Sequence, residues 1–261
     1  MAYSVGMGDV SQRQDTGILI AIEGIDGAGK TTQWGMLRDA LLAVGEAPVT
    51  SKEPTNGMWG QKIRDSAANG RMSLEDELHA FIQDRSEHVH KVIDPALRAG
   101  SIVILDRYFY STIAYQGSRG ADVSELRVEM SERFPVPDMV FLLDIDPTLG
   151  LFRISHSRGE TPNQFENAEQ LAKAREIFEA LARTDTTISV LDGSLSEAAV
   201  HAELLQRFVD GPLKQKRCAK DYGCDDPLHC IPALTGNCEW WRISRLLLAG
   251  LSETPVAASS S

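Results

Sequence analysis

Residues 24–31 read Gly-Ile-Asp-Gly-Ala-Gly-Lys-Thr, and this octet constrains the fold more than any other stretch of the chain. It follows the apolar run Ile18-Leu19-Ile20-Ala21-Ile22 and opens a segment of helical character from Thr31 to Val44. A strand, a glycine-rich turn and a helix start are what a phosphate-binding loop requires. Glycine lets the main chain curl until successive N–H groups point inward at phosphate oxygens, and the helix N-terminus adds partial positive charge. Gly24, Ile25, Asp26, Gly27, Ala28, Gly29, Lys30, Thr31 and Thr32 are therefore the candidate residues for a bound nucleoside triphosphate. Lys30 is spaced to reach the terminal phosphates, and the Thr31 hydroxyl to hold Mg²⁺. A chance glycine-rich turn does not explain why all four fixed positions and both flanks agree.

The rest of the composition narrows the classes. The net charge of −11 argues against general nucleic-acid binding, which needs a basic surface. It also means that anionic phosphates need a local group of cations. The candidates are Lys30, Arg64, Arg85, Arg107, Arg119, Arg153 and Arg158. No apolar stretch approaches the ~18 residues of a membrane helix, so no membrane association is expected. The polar stretch from Met1 to Thr16 lacks an apolar signal core, which predicts a cytoplasmic protein.

Along the chain, strands alternate with helices, the pattern of a parallel sheet covered on both faces. The expected strands are Ile18–Glu23, Pro48–Ser51, Ile102–Asp106, Met139–Asp144 and Thr187–Leu191. Most are short apolar runs without alternation, as strands buried on both faces should be. Helices are expected at 31–44, 58–69, 74–98, 108–116, 124–133, 147–156, 167–183 and 196–209, with a bend in the third at Asp94-Pro95. Ser73 followed by Glu75, Asp76 and Glu77 is a helix start with acids on the positive end. Composition changes after Gly211-Pro212. Three regions are expected: a flexible N-terminus (1–17), a main domain (18–211), and a C-terminal extension (212–261). The extension is expected to hold a short helix at 241–251 and a disordered end.

The segment Ile102-Val-Ile-Leu-Asp-Arg-Tyr108 is a buried strand ending in a charged pair. In an open parallel sheet, ligands bind at the carboxyl ends of the strands, which brings Asp106 and Arg107 beside the loop. Arg107 there either neutralises charge during transfer or grips an acceptor phosphate. Asp106 either organises Mg²⁺ water or accepts a hydrogen bond from Arg107.

At this point the chain resembles the thymidylate kinase family. The matching stretches are Glu23–Gln33, Lys52-Glu53-Pro54, Gly60–Arg64, Phe81–Arg85, Asp106-Arg107-Tyr108, Ser111-Thr112, Ala114–Gly117, Pro137-Asp138, Leu143–Pro147 and Phe165-Glu166. They run in family order over roughly residues 18–210. The resemblance implies a three-layer α/β P-loop kinase fold with a five-stranded parallel sheet. It also implies transfer of the ATP γ-phosphate to dTMP with Mg²⁺, and a homodimer. The Cys-containing C-terminal extension lies outside it. Phe81 is implied to stack on thymine and Arg85 to bond a ring carbonyl, and their i, i+4 spacing places both on one helix face. Either residue alone also fits core packing or a surface ion pair. Thr112 and Gln116 are implied at the base edge and Tyr115 near the deoxyribose. Asp26 would take the sugar 3′-OH, Arg107 the acceptor 5′-phosphate, and Glu53-Pro54 would close the monophosphate site. Thr55-Asn56-Gly57 departs from the Gly-Gly-Thr common in the family.

Phosphoryl transfer must exclude water, which calls for a mobile cover over the loop. Residues 150–166 fit that part, with Arg153 and Arg158 as cations. Gly27, not Arg, follows Asp26 in the loop, and family members with this pattern often carry lid arginines. The catalytic set is therefore Lys30, Asp106, Arg107, Arg153 and Arg158. The sequence does not decide between the two lid arginines. Cys218, Cys224, Cys230 and Cys238 are separated by five, five and seven residues, without the close pairs of most structural zinc sites. A Zn²⁺ or iron–sulfur site and four unligated thiols both remain open. The functional alternatives are a kinase for another deoxynucleotide or deoxynucleoside, and a catalytically weak nucleotide sensor.

Overall fold

The computed structural model describes residues 17–158, 164–214 and 239–252. Five strands form one parallel sheet in the order β2-β3-β1-β4-β5: β1 Ile18–Glu23, β2 Val49–Lys52, β3 Ile102–Asp106, β4 Met139–Asp144 and β5 Ile188–Asp192. The central strand β1 is buried along its whole length. It is in register with β3 from Ile18↔Ile102 to Ile22↔Asp106 and with β4 from Ile20↔Met139 to Glu23↔Leu142. Three strands fall on their expected bounds. The other two, β2 and β5, start one residue later than expected. Pro48 has no N–H to give the ladder, and the Thr187 N–H is taken by Asp185 Oδ1 at 3.0 Å.

The helices are α1 Lys30–Ala43, α2 Met58–Asn69, α3 Leu74–His88, α4 Asp94–Arg98, α5 Phe109–Gly117, α6 Val123–Arg133, α7 Pro147–Arg158, α8 Gln164–Thr184, α9 Glu197–Phe208 and α10 Glu239–Ser252. Several starts follow local capping. Ser73 Oγ accepts from Asp76 N, Asp122 from Ser124 N and Glu125 N, and Ser196 from Ala199 N. The bend expected at Asp94-Pro95 is a wide π-helical turn, Val89–Ile93, joining α3 to α4. Pro95 cannot donate to the carbonyl four residues back, and its ring collides there, so the widened turn passes the chain around it.

Right-handed crossovers applied to this strand order put α1 on one face of the sheet. The helices that follow β2, β3 and β4 lie on the other. The packing agrees: α1 meets α9 and α10, while α5 meets α3, α6 and α8. The crossovers from β1 and β3 leave in opposite senses, so the sheet's switch point lies at the carboxyl ends of these two neighbours. The phosphate-binding loop leaves β1 there.

Candidate active site

The loop from Gly24 to Thr31 curls through positive φ at Gly24 (140°), Gly27 (81°) and Gly29 (93°). A Cβ at Gly27 would collide with Gly150 O, so the loop tip lies directly on the first turn of α7. Lys30 is buried, and its Nζ donates to Ile25 O at 2.7 Å across the loop. Thr31 Oγ1 donates to Asp106 Oδ2 at 2.6 Å, which joins the start of α1 to the end of β3. Gly24 and Ile25 frame the loop: the Gly24 carbonyl accepts from Arg107, and Ile25 is packed in the core.

The next residue, Arg107, is the one described non-glycine residue with positive φ, at 69°. That backbone turn aims its guanidinium back across the loop. Nη1 donates to Ser111 Oγ at 2.9 Å and to Gly24 O at 3.3 Å, and Nη2 donates to Asp26 Oδ1 at 2.6 Å. The Tyr115 hydroxyl donates to Asp26 Oδ2 at 3.0 Å, and the Tyr115 ring lies under the Arg107 guanidinium at 5.3 Å. Asp26, Arg107 and Tyr115 thus form one interlocked group.

Beneath them lies Glu23, fully buried at the end of β1. It accepts from Tyr108 N at 2.7 Å and from Ser111 Oγ at 2.5 Å. Burial pushes its carboxyl up to about 7, against the opposing effects of the Ser111 hydrogen bond and the Arg107 and Lys30 charges. Lys30 moves the other way. Burial, with Arg107 beside it, lowers its ammonium to about 7, while Asp26, Asp106 and Glu23 resist.

Two cavities meet at this group. The larger, about 710 Å³, is walled by the loop from Asp26 onward, Lys52, Arg64, Asp106, Arg153, Leu195 and Val200. The smaller, about 200 Å³, is walled by Phe81, Arg85, Arg71, Tyr108, Thr112, Tyr115 and Gln116. Asp26, Glu53, Pro54 and Arg107 line both, so the two are halves of one cleft.

Of the expected site residues, Lys30, Thr31, Thr32, Asp106, Arg107 and Arg153 line the larger half, and Phe81, Arg85, Thr112, Tyr115 and Gln116 the smaller. Arg85 is no surface ion pair: it is 1% exposed, salt-bridged to Glu53 at 2.7 Å, and donates to Thr112 Oγ1 at 2.8 Å. The Gln116 amide donates to buried Glu77 at 2.9 Å, and Arg71 and Arg119 also pair with Glu77. Thr55, in the departure from the family pattern, is pinned by its N and Oγ1 to Asp84 on α3 at 2.7 and 2.6 Å. Arg153, expected on a lid, faces the loop and donates to Gly193 O at 3.0 Å and Gly27 O at 3.4 Å. Arg158 ends α7, and its side chain lies outside the described residues, as do 159–163 and the four cysteines. Among the described residues no group of three or more His, Cys, Asp or Glu side chains is placed to hold a metal.

Sequence reasoning assigned no role in the site to Glu23, Glu77, Ser111, Lys52 or Arg71. Glu23 had a readable signal, as the one acid closing an otherwise apolar strand. Glu77 had none, because an acid in the first turn of a helix is ordinary on the surface.

The sheet order and the loop together define a P-loop nucleotide-binding protein of the α/β class. The family model described as thymidylate kinase matches residues 22–204. The curated relatives named thymidylate kinase include one from Xanthomonas oryzae pv. oryzae, 53% identical over 165 residues, 63% of this chain and 72% of the relative. Another, from Xanthomonas euvesicatoria pv. vesicatoria, is 54% identical over the same shares. A third, from Xylella fastidiosa, is 52% identical and is covered over 75% of its length. The chain belongs to the thymidylate kinase family.

Proposed function

We propose that this protein transfers the γ-phosphoryl group of ATP to dTMP, giving ADP and dTDP. The observation that carries the reading is the divided cleft, in which Asp26, Glu53, Pro54 and Arg107 wall both halves. Two nucleotides bound there would present donor and acceptor phosphates to each other across Arg107. In this reading the curled loop and Lys30 hold the triphosphate, and Arg107 holds the acceptor phosphate. Phe81 and Arg85 take the base, with Thr112 and Gln116 at its edge. Asp26, held by both Arg107 and Tyr115, receives the sugar 3′-OH. Such transfer is catalysed by alignment and by neutralising charge on the transferred group. Lys30, Arg107 and Arg153 supply that charge, and a well-placed arginine is worth roughly 10³–10⁵ in rate.

The residues present fit a hard divalent cation. The Thr31 hydroxyl and the Asp106 carboxylate stand 2.6 Å apart at the mouth of the loop, both oxygen donors of the kind Mg²⁺ takes. They would hold it, and it would draw charge from the β- and γ-phosphate oxygens.

A panel of dTMP, dUMP, dCMP, dGMP and thymidine with coupled detection of ADP tests the reading. Preference for dTMP is the expected result. Preference for unphosphorylated thymidine would overturn the acceptor-phosphate role of Arg107. ATP binding without any monophosphate-dependent ADP would favour a sensor. A cytoplasmic homodimer, joined through helices flanking the sheet, completes the proposal. Met58 on α2, 72% exposed, supports an apolar contact there, which sedimentation of the purified protein would test.

A further inference from the structure

We infer that His88 is a positioning residue for the monophosphate half of the cleft, acting through Glu53 on Arg85. The inference rests on the dTMP kinase reading above and adds a residue to it. His88 is the last residue of α3. It stands three positions after Arg85, which itself stands four after Phe81, so all three share one stripe of the helix. The widened turn Val89–Ile93 begins directly after it. That turn changes the phase of the chain, so that Ile93, Ala96 and Leu97 face the core, while the stripe before it serves the cleft.

The contacts form a short chain of command. His88 is buried, and its Nδ1 lies 2.9 Å from Glu53 Oε1. The other oxygen of Glu53, Oε2, receives Arg85 Nε at 2.8 Å and the Arg85 terminal nitrogen at 2.7 Å. The two carboxylate oxygens thus have separate partners. Glu53 accepts from both sides, so the imidazole carries its proton on Nδ1. Its Nε2 is buried without a hydrogen-bond partner among the described residues. An apolar ring would fill the same space without that cost. The one polar service His88 performs is therefore the bond to Glu53.

Glu53 is well placed to transmit it. Its own N–H donates to Asp106 O at 3.1 Å, and it walls both halves of the cleft. Removing the His88 donor strands Oε1 away from water. The carboxylate then turns to find another donor and releases Arg85 from Oε2. Arg85 keeps only Thr112 as an oxygen partner, with the Met130 sulfur at 3.4 Å as a weak one. The guanidinium loses its fixed direction, and the monophosphate half suffers before the triphosphate half does.

Steady-state kinetics of the wild type, His88→Phe, His88→Asn and His88→Gln test this. Asn presents an N–H near the place of Nδ1, whereas Gln carries its N–H out to the place of Nε2. His88→Phe is expected to raise KM for dTMP about tenfold or more, with KM for ATP within about twofold of wild type. His88→Asn should recover most of the loss and His88→Gln should not. Folded His88→Phe with wild-type KM for dTMP overturns the inference. So does an equal rise in both KM values, or equal impairment of the Asn and Gln variants. If His88→Phe does not fold, the Asn–Gln contrast decides alone. An active wild type with indifferent variants sinks only the role of His88. A wild type that does not turn over dTMP sinks the kinase reading as well.

Discussion

At the scale of single residues, the site stores its chemistry in two ionisable groups moved toward neutrality. Lys30 is lowered to about 7 and Glu23 raised to about 7, in both cases chiefly by burial. For Lys30 the consequence appears on binding. At pH 8 the unliganded ammonium has lost most of its protons, and arriving phosphates favour the charged form. ATP binding at pH 8 should therefore take up a proton, by up to about one per site. Calorimetry in buffers of different ionisation enthalpy reads this directly, and a buffer-independent heat would contradict it. For Glu23 the consequence is stability. Its folded pKa lies above the ordinary 4.5, so between pH 4.5 and about 7 the folded state binds more protons than the unfolded one. This group's contribution is fully present below pH 4.5 and is lost as pH rises through about 7. A shift of this size corresponds to roughly 3 kcal/mol. Urea unfolding at pH 5 and pH 7 should show the wild type losing stability relative to Glu23→Gln over that interval. Parallel behaviour of the two proteins would refute the account.

At the scale of elements, the loop's shape depends on what it rests on. Gly27 in the loop and Gly150 in the first turn of α7 approach so closely that a Cβ on Gly150 would meet Asp26 O at 2.5 Å. The Cβ is held rigidly by the α7 backbone and the oxygen belongs to the loop backbone, so one element must move. Gly150→Ala should raise KM for ATP and lower kcat together, by roughly 10–100-fold, the usual cost of a displacement near an ångström at a reacting site. The melting temperature should change little, because α7 remains a helix. Normal kinetics in the folded variant would show that the loop has slack. This contact also marks the limit of what the chain displays before folding. Elements announced themselves where the local signal was strong: apolar runs for β1, β3 and β4, the capping residue Ser73 for α3, Pro95 for the bend that follows it. The gathering of the motif residues Lys30, Thr31, Asp106 and Arg107 around one cleft could be read in the same way. What could not be read were pairings between distant segments. Glu77 with Gln116, Glu53 with His88, and Gly27 against Gly150 lie 35 or more residues apart. No periodicity carries that information, because only the sheet order brings those segments together. Arg85 illustrates the gap: its residue type fits a surface ion pair, and only the fold shows it buried.

At the scale of the whole molecule, a chain of net charge −11 must hold two anionic nucleotides. It does so by gathering Lys30, Lys52, Arg64, Arg107 and Arg153 around one cavity, whose low-dielectric walls focus their attraction for phosphate. The cavity wall is built partly from α1 and α9. Gln33 on α1 donates to the Glu197 carbonyl on α9 at 2.9 Å, which ties the two helices together beside the cavity. Helix α10, beyond the family match at 22–204, packs on this same pair. It does so through Ile243 and Leu247, both buried, while Leu246 between them is 47% exposed. From this packing α10 is expected to brace the nucleotide-binding wall and to unfold together with it. Leu247→Ala should lower the stability of the main unfolding transition by roughly 2–4 kcal/mol, the cost of a cavity at a buried leucine. Leu246→Ala, one position away and half in solvent, should change it by no more than about 0.5 kcal/mol. Urea denaturation followed by fluorescence and by circular dichroism separates two outcomes. A single shifted transition by both probes makes α10 integral to the domain. An unshifted main transition preceded by a small early one makes it an independent flap, and the brace would have to be abandoned.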